Sequence, residues 1–177
     1  QENITATGTL AADEAVNLVS EVSGKIAAIT FQEDARVARG DVLVRIDDTE
    51  LRAQLARAES RVNLARVQAQ RQEQLGVGVG TSQDAVDAAQ NEMRVFAAEA
   101  DVVRAQLAKT DIRAPFDGRI GFRYVSEGAY VTPSTRIATL QRIDPIKIEF
   151  AVAERHLERL QRDAKVRISV AGLDEPF

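Results

Sequence analysis

Only a few residues in this chain have the types and spacing that chemistry requires. His156 is the one histidine. It stands among Glu154, Arg155 and Glu158, on a stretch whose Leu157 and Leu160 predict a short amphipathic helix over 154–162. Imidazole can ligate a metal or take a proton near neutrality, but in that setting it reads as a solvated surface residue. Asp47 and Asp48 are adjacent carboxylates, and a helix start directly after them makes capping their simpler role. The run Gly76-Val77-Gly78-Val79-Gly80 is glycine-rich, yet no Lys-Ser/Thr follows it as a phosphate cradle would need. No nucleophile is patterned with a base, and the absence of cysteine excludes disulfides and thiolate metal sites. The reading is not an enzyme, with no cofactor and no metal.

The elements around these residues say more. Between Thr49 and Lys109 the chain is rich in Ala, Gln, Arg and Glu and has no proline. Leu51, Leu55, Ala58, Val62, Ala65 and Ala69 recur at steps of four and three before the glycine run. Val86, Ala89, Met93, Phe96, Ala100, Val103 and Leu107 do so after it. Each set forms one narrow seam of a helix, as in a coiled coil. Two such helices joined at a glycine turn can bury their seams only on each other, which predicts an antiparallel hairpin. Each arm would be roughly 40 Å long at 1.5 Å per residue. Asp47 and Glu50 fit a capping box for the first helix. Gly76 can supply the left-handed residue that closes it. Thr81 or Ser82 can cap the second helix, with Asp84 against its positive end. Met93 and Phe96 read as seam packing.

Composition sets the bounds. The chain has 177 residues, a 5 % aromatic share and no Trp, so no single large core is expected. A net charge of −4 with interspersed signs offers no basic field for nucleic acid. No apolar run approaches the ~20 residues that span a bilayer, so any targeting or anchoring part is expected outside this chain. The end at Asp174-Glu175-Pro176-Phe177, just after a strand-like run, suggests either truncation or partial order.

The flanks of the hairpin are β-rich. Residues 4–22 read as one or two strands interrupted at Gly8. Val22–Ile26 and Val37–Ile46 follow as short runs punctuated by Gly and Gly-Asp turns. Beyond the hairpin, Ile112–Ile120 opens a segment like the first. Sliding the chain by about 94 positions pairs Gly24 with Gly118, Ile26 with Ile120, Glu33 with Glu127, Ala35 with Ala129 and Val37 with Val131. Lys25 then meets Arg119, and Leu43 meets Ile137. Gly24, Gly40, Gly118 and Gly128 are the expected structural turns, where the backbone needs positive φ or close approach, with positive φ at Gly118 after Asp117. Two half-motifs, each too small to bury a face, would close one β-sandwich with the hairpin inserted between them. A strand at 146–152, the helix at 154–162 and a strand at 166–170 would join the N-terminal strands in an outer β unit.

This nested order resembles the periplasmic adaptor, or membrane fusion, proteins of tripartite efflux pumps, of the resistance-nodulation-division type. The residues that carry the resemblance are Gly24-Lys25-Ile26, Gly40-Asp41-Val42-Leu43, Ile112 through Ile120 with its Ala-Pro-Phe-Asp-Gly core, Glu127-Gly128 with Val131, and Leu140 through Pro145. The implied fold is α+β and multidomain: an antiparallel α-helical hairpin at 49–109 inserted in a split biotinyl/lipoyl-like β-sandwich at 16–48 and 110–142. Part of a β-barrel domain would lie at 1–15 and 143–177. At the hairpin tip the family carries Arg, then Leu four residues on, then Ser seven further; Arg71, Leu75 and Ser82 stand at those intervals, with three glycines inside the motif. The resemblance implies that these residues contact the helical tips of an outer-membrane channel. It also implies docking on an inner-membrane efflux transporter and self-association into a ring, a hexamer or a trimer of dimers. The location implied is the periplasm of a Gram-negative bacterium, attached to the inner membrane through parts outside this chain. Within the family, an adaptor of an ABC-type or metal exporter is the rival reading. A biotinyl or lipoyl carrier would need a lysine in a tight turn between the halves; the hairpin takes that place, and Lys25, Lys109, Lys147 and Lys165 lie elsewhere. A free-standing coiled-coil protein is disfavoured by the glycine-marked β repeat.

Overall fold

The computed structural model describes residues 6–76, 78, 80–153, 166 and 168. The helix expected at 154–162, with His156, lies outside them, as do Lys165 and most of the strand expected at 166–170. Ten elements follow in chain order: β1 (Gly8–Val19), β2 (Gly24–Ile29), β3 (Arg36–Val37), β4 (Val42–Ile46), α1 (Thr49–Leu75), α2 (Gln83–Ala108), β5 (Asp111–Arg113), β6 (Gly118–Arg123), β7 (Tyr130–Val131) and β8 (Arg136–Phe150). They form two four-stranded sheets, β1-β8-β6-β3 and β5-β4-β2-β7.

The 94-residue repeat has a three-dimensional meaning. Val37 of β3 pairs with Gly118 of β6, and Val131 of β7 pairs with Gly24 of β2. Each half therefore lends its shortest strand to the other half's sheet. The exchange carries its hydrogen bonds in duplicate: Ile26 N donates to Ala129 O at 2.9 Å, and Ile120 N to Ala35 O at 3.0 Å. Ile29 N donates to a Glu127 carboxylate oxygen at 3.0 Å, and Arg123 N to the Glu33 carboxylate at 2.9 Å. Gly40 N donates to Ala114 O at 2.8 Å, and Ser134 N to Ser20 O at 2.9 Å. The left-handed residues repeat as well, at Asp34 and Gly128 and at Gly40 and Ser134. Between the sheets lie Ile26 and Ile120, Leu43 and Ile137, with Ile46, Val44, Val131 and Leu140. Each aliphatic side chain of this kind contributes about 1.5–3 kcal/mol on burial, and the set draws on both halves.

One glycine expectation changes. Gly118 begins β6 and has no positive φ; instead a Cβ there would stand 2.5 Å from the Gln141 carbonyl oxygen. Gly24 is likewise required by close approach, here of Ile46. Gly40 and Gly128 do have positive φ, at 92° and 81°.

The strand expectations change too. Gly8 opens β1 rather than interrupting it, and the strand expected at 146–152 is the end of a longer one, β8, that begins at Arg136 and runs through Asp144-Pro145 to Phe150. Proline is tolerated there because the ladder slips: Ala12 pairs with Ile146 and Glu14 with Arg142, so residues 143–145 have no partner in it. Asp13, at the slip, turns to Lys147 Nζ at 2.9 Å and Arg142 Nη1 at 3.7 Å. Beyond it the β1–β8 ribbon exposes Leu10, Ile146 and Phe150.

The hairpin follows its seams. Val62, Ala65 and Ala69 of α1 and Val86 and Ala100 of α2 are buried, and the other seam positions are partly buried. Cross-helix ion pairs join Glu59 to Arg104 at 2.8 Å and Arg61 to Glu99 at 3.8 Å. Exposed pairs of this kind contribute under about 1 kcal/mol each, so they fix register more than stability. The expected capping box at α1 is absent. Asp48 is the N-cap residue and makes no side-chain cap bond. Asp47 is held to the sheet by its N–H on Lys25 O at 2.8 Å, and its carboxylate accepts from Thr49 N at 3.0 Å and Thr49 Oγ1 at 2.6 Å. Glu50 accepts from Gln54 instead of closing a box.

Candidate functional site

The free end of the hairpin is built by α1's last turn, the glycine run and α2's first turn. Gly76, at φ 74° and ψ 131°, stops α1, and its N–H donates to Glu73 O at 3.2 Å. Gly78 has φ 83°, and its N–H donates to Thr81 O at 2.9 Å. Gly80 N donates to Gly76 O at 3.2 Å, and a Cβ at Gly80 would crowd Leu75 O at 3.1 Å. The glycines thus let the chain reverse in a turn too tight and too left-handed for larger residues.

All three candidate contact residues come to this end. Arg71 is exposed, one helical turn before Leu75, which is 48 % exposed although it ends an otherwise seam-packed helix. Ser82 caps α2, its hydroxyl oxygen accepting from Ala85 N at 3.2 Å. A hydroxyl used as an acceptor keeps its own proton to donate, so Ser82 can cap and still bind outward. The arrangement presents a planar guanidinium fork, an uncovered aliphatic side chain and a free hydroxyl donor. The guanidinium and the hydroxyl can donate to carbonyls or carboxylates, and the aliphatic side chain can fill an apolar groove.

Two polar contacts missed by the sequence reading hold the tip. Thr81 does not cap α2; its Oγ1 donates to Gln72 Oε1 at 2.8 Å, and both residues are partly buried. Gln90 Nε2 donates to Glu73 Oε1 at 2.6 Å. Gln72 continues the seam one step beyond Ala69, so a polar residue in an apolar series was the available signal.

Elsewhere the chemistry is sparse. Among the described residues no cluster of His, Cys, Asp and Glu could hold a metal, and no helix is long and apolar enough to cross a membrane. The chain passes from β4 into α1 at Thr49, so the hairpin occupies the place of a carrier turn. Lys109 pairs with Glu21 at 3.0 Å, Lys147 with Asp13, and Lys25 lies in β2 opposite Tyr130.

The family model of the RND MFP barrel-sandwich hybrid domain matches residues 14–143. The chain is 31 % identical over 189 residues to "Multidrug resistance protein MdtA" of Proteus mirabilis, across 97 % of this chain and 46 % of that protein. It is 37 % identical over 137 residues to "Toluene efflux pump periplasmic linker protein TtgD" of Pseudomonas putida, across 74 % of this chain and 36 % of that one. This chain therefore spans less than half the length of these relatives. Among solved structures it matches a MacA–MexA chimera carrying the Pseudomonas aeruginosa MexA α-hairpin domain. There the TM-score is 0.80 at 25 % identity, over 88 % of this chain and 57 % of that one. A putative efflux transporter from Bacteroides eggerthii shares the fold, with a TM-score of 0.73 at 23 % identity over 92 % and 53 % of the two chains.

Proposed function

The chain belongs to the RND membrane fusion proteins, and we propose that it is the hairpin-bearing part of a periplasmic adaptor that bridges an inner-membrane efflux transporter and an outer-membrane channel. The observation that carries the bridging role is the exposed pair Arg71 and Leu75 at the free end of a 27-residue helix. That end is the full length of the hairpin away from the sandwich, where a channel's own helical tips would be met. The sandwich, at 16–48 and 110–142, packs beside copies of itself in a ring. The ribbon of β1 and β8, with the rest of 1–15 and 143–177, belongs to a β-barrel unit that faces the transporter; its uncovered Leu10, Ile146 and Phe150 fit further packing there. The adaptor is attached to the inner membrane on the transporter's side. The relatives named for drugs and toluene favour organic cargo over metal ions.

The test is Arg71→Asp in the source organism. Resistance is expected to fall to the level of a strain lacking the gene, with the protein folded and present at normal level. Unchanged resistance would contradict docking through the tip.

A further inference from the structure

We infer that Gln72 and Thr81 form a latch that sets the spacing of Arg71 and Ser82, and so act as positioning residues for whatever the tip engages. This rests on the tip-docking reading above. The turn contains three glycines, two with positive φ, and glycine is the residue with the most backbone freedom. Most of its backbone bonds tie the turn to itself: Gly78 N to Thr81 O, and Gly80 N to Gly76 O. Gly76 N to Glu73 O only finishes α1. Among the described residues, the bond from Thr81 Oγ1 to Gln72 Oε1 is the side-chain contact that fastens the turn's far end back onto α1.

The placement is specific. Gln72 follows Arg71 directly, and Thr81 directly precedes Ser82. A bond between the inner two therefore fixes the distance between the outer two, one on each side of the turn. Thr81 is held twice, through its carbonyl by Gly78 and through its hydroxyl by Gln72, so it couples turn to helix. Partial burial shields the bond from water, where an exposed one would be exchanged for solvent at little cost. Below it, Gln90 on Glu73 repeats the link between the arms, leaving Arg71 and Leu75 exposed on a fixed base.

Thr81→Val keeps the β-branched shape and removes the donor; Thr81→Ser keeps the donor. These 177 residues have no cysteine, so nitroxides on Gln74→Cys and Gln83→Cys, both exposed positions, report the distance across the tip, in the full-length protein with any cysteine outside them replaced by serine. The unaltered tip and Thr81→Ser are expected to give a narrow distance distribution, and Thr81→Val a broad one. In the source cells Thr81→Val should lower resistance roughly fivefold, the equilibrium factor for one net hydrogen bond, and Thr81→Ser should restore it. Should Thr81→Val not fold, Gln72→Met removes the same bond from the other side. A distribution as narrow in both as in the parent would overturn the latch. A broad distribution with full resistance would overturn its positioning role. Full resistance in Arg71→Asp would instead strike at tip docking, so the two failures are distinguishable.

Discussion

Gly118 and Gln141 stand on neighbouring strands so close that a Cβ carbon at 118 would lie 2.5 Å from the Gln141 carbonyl oxygen. Gly40 is a different case, with φ 92° and open space around its Cβ position. One glycine is needed for room and the other for conformation, and substitutions separate the two reasons.

Gly118→Ala is expected to destabilise the protein by about 2 kcal/mol, because a backbone oxygen cannot rotate away as a side chain would. Asn in its place should do no better. At Gly40, Ala should cost about 1 kcal/mol for the left-handed backbone, and Asn should recover part of it. Denaturant unfolding of the four variants checks this; Gly118→Ala at parental stability would show that β6 and β8 are not packed this closely.

The exchanged strands β3 and β7 make each half depend on the other. Ile46 N donates to Thr110 O at 2.9 Å, so the two ends of the hairpin insertion are already adjacent. Deleting Thr49–Lys109 and joining Asp48 to Thr110 through a short turn should leave a cooperatively folded β domain, with dispersed amide resonances. Residues 6–48 alone should be unfolded. A folded first half would contradict the exchange, and an unfolded joined domain would make the hairpin part of the core.

Asp13 gives the junction of sandwich and ribbon a dependence on acid. The hydrogen bond from Lys147 holds its carboxyl below the usual carboxylate range, aided by the charges of Lys147 and Arg142 and opposed by partial desolvation. A carboxyl whose pKa is lowered on folding contributes stability that is fully present above its unfolded value of roughly 3.9 and is lost as pH falls through the folded value. The melting temperatures of the parent and Asp13→Asn should therefore differ near neutral pH and converge as pH drops below about 4. Added salt should narrow the neutral-pH gap. Parallel curves across that range would mean that Asp13 contributes no linked stability.

The seams of the hairpin were legible because a coiled coil leaves one residue type at one spacing, and every seam position from Leu51 to Leu107 faces inward at least in part. The repeat was legible for the same reason, since Ile26 and Ile120 occupy equivalent places in one core. What the repeat could not show is which half each strand pairs with, because Val37 on Gly118 and Val131 on Gly24 are contacts between halves. The capping box failed because Asp47 answers to the sheet through Lys25 before it answers to the helix. The strand expected at 146–152 was not seen to continue back through Pro145 because the slip opposite Asp13 that accommodates the proline depends on a partner 132 positions away, in a register set only in the fold. At the tip, Arg71, Leu75 and Ser82 were visible as a spacing, whereas the bond between Gln72 and Thr81 depends on how tightly the glycines turn.

The bridging role is tested most directly at Leu75, which is exposed at the tip, beyond Ala69, the last buried seam residue of α1. A photo-crosslinking amino acid at position 75, activated in living cells of the source organism, should join this protein to an outer-membrane channel protein, identified by mass spectrometry. The same probe at Leu64, exposed on the shaft of α1, should give far less of that product. Equal channel crosslinking from both positions, or none from Leu75 in cells that still export drug, would contradict an adaptor that meets its channel through the hairpin tip.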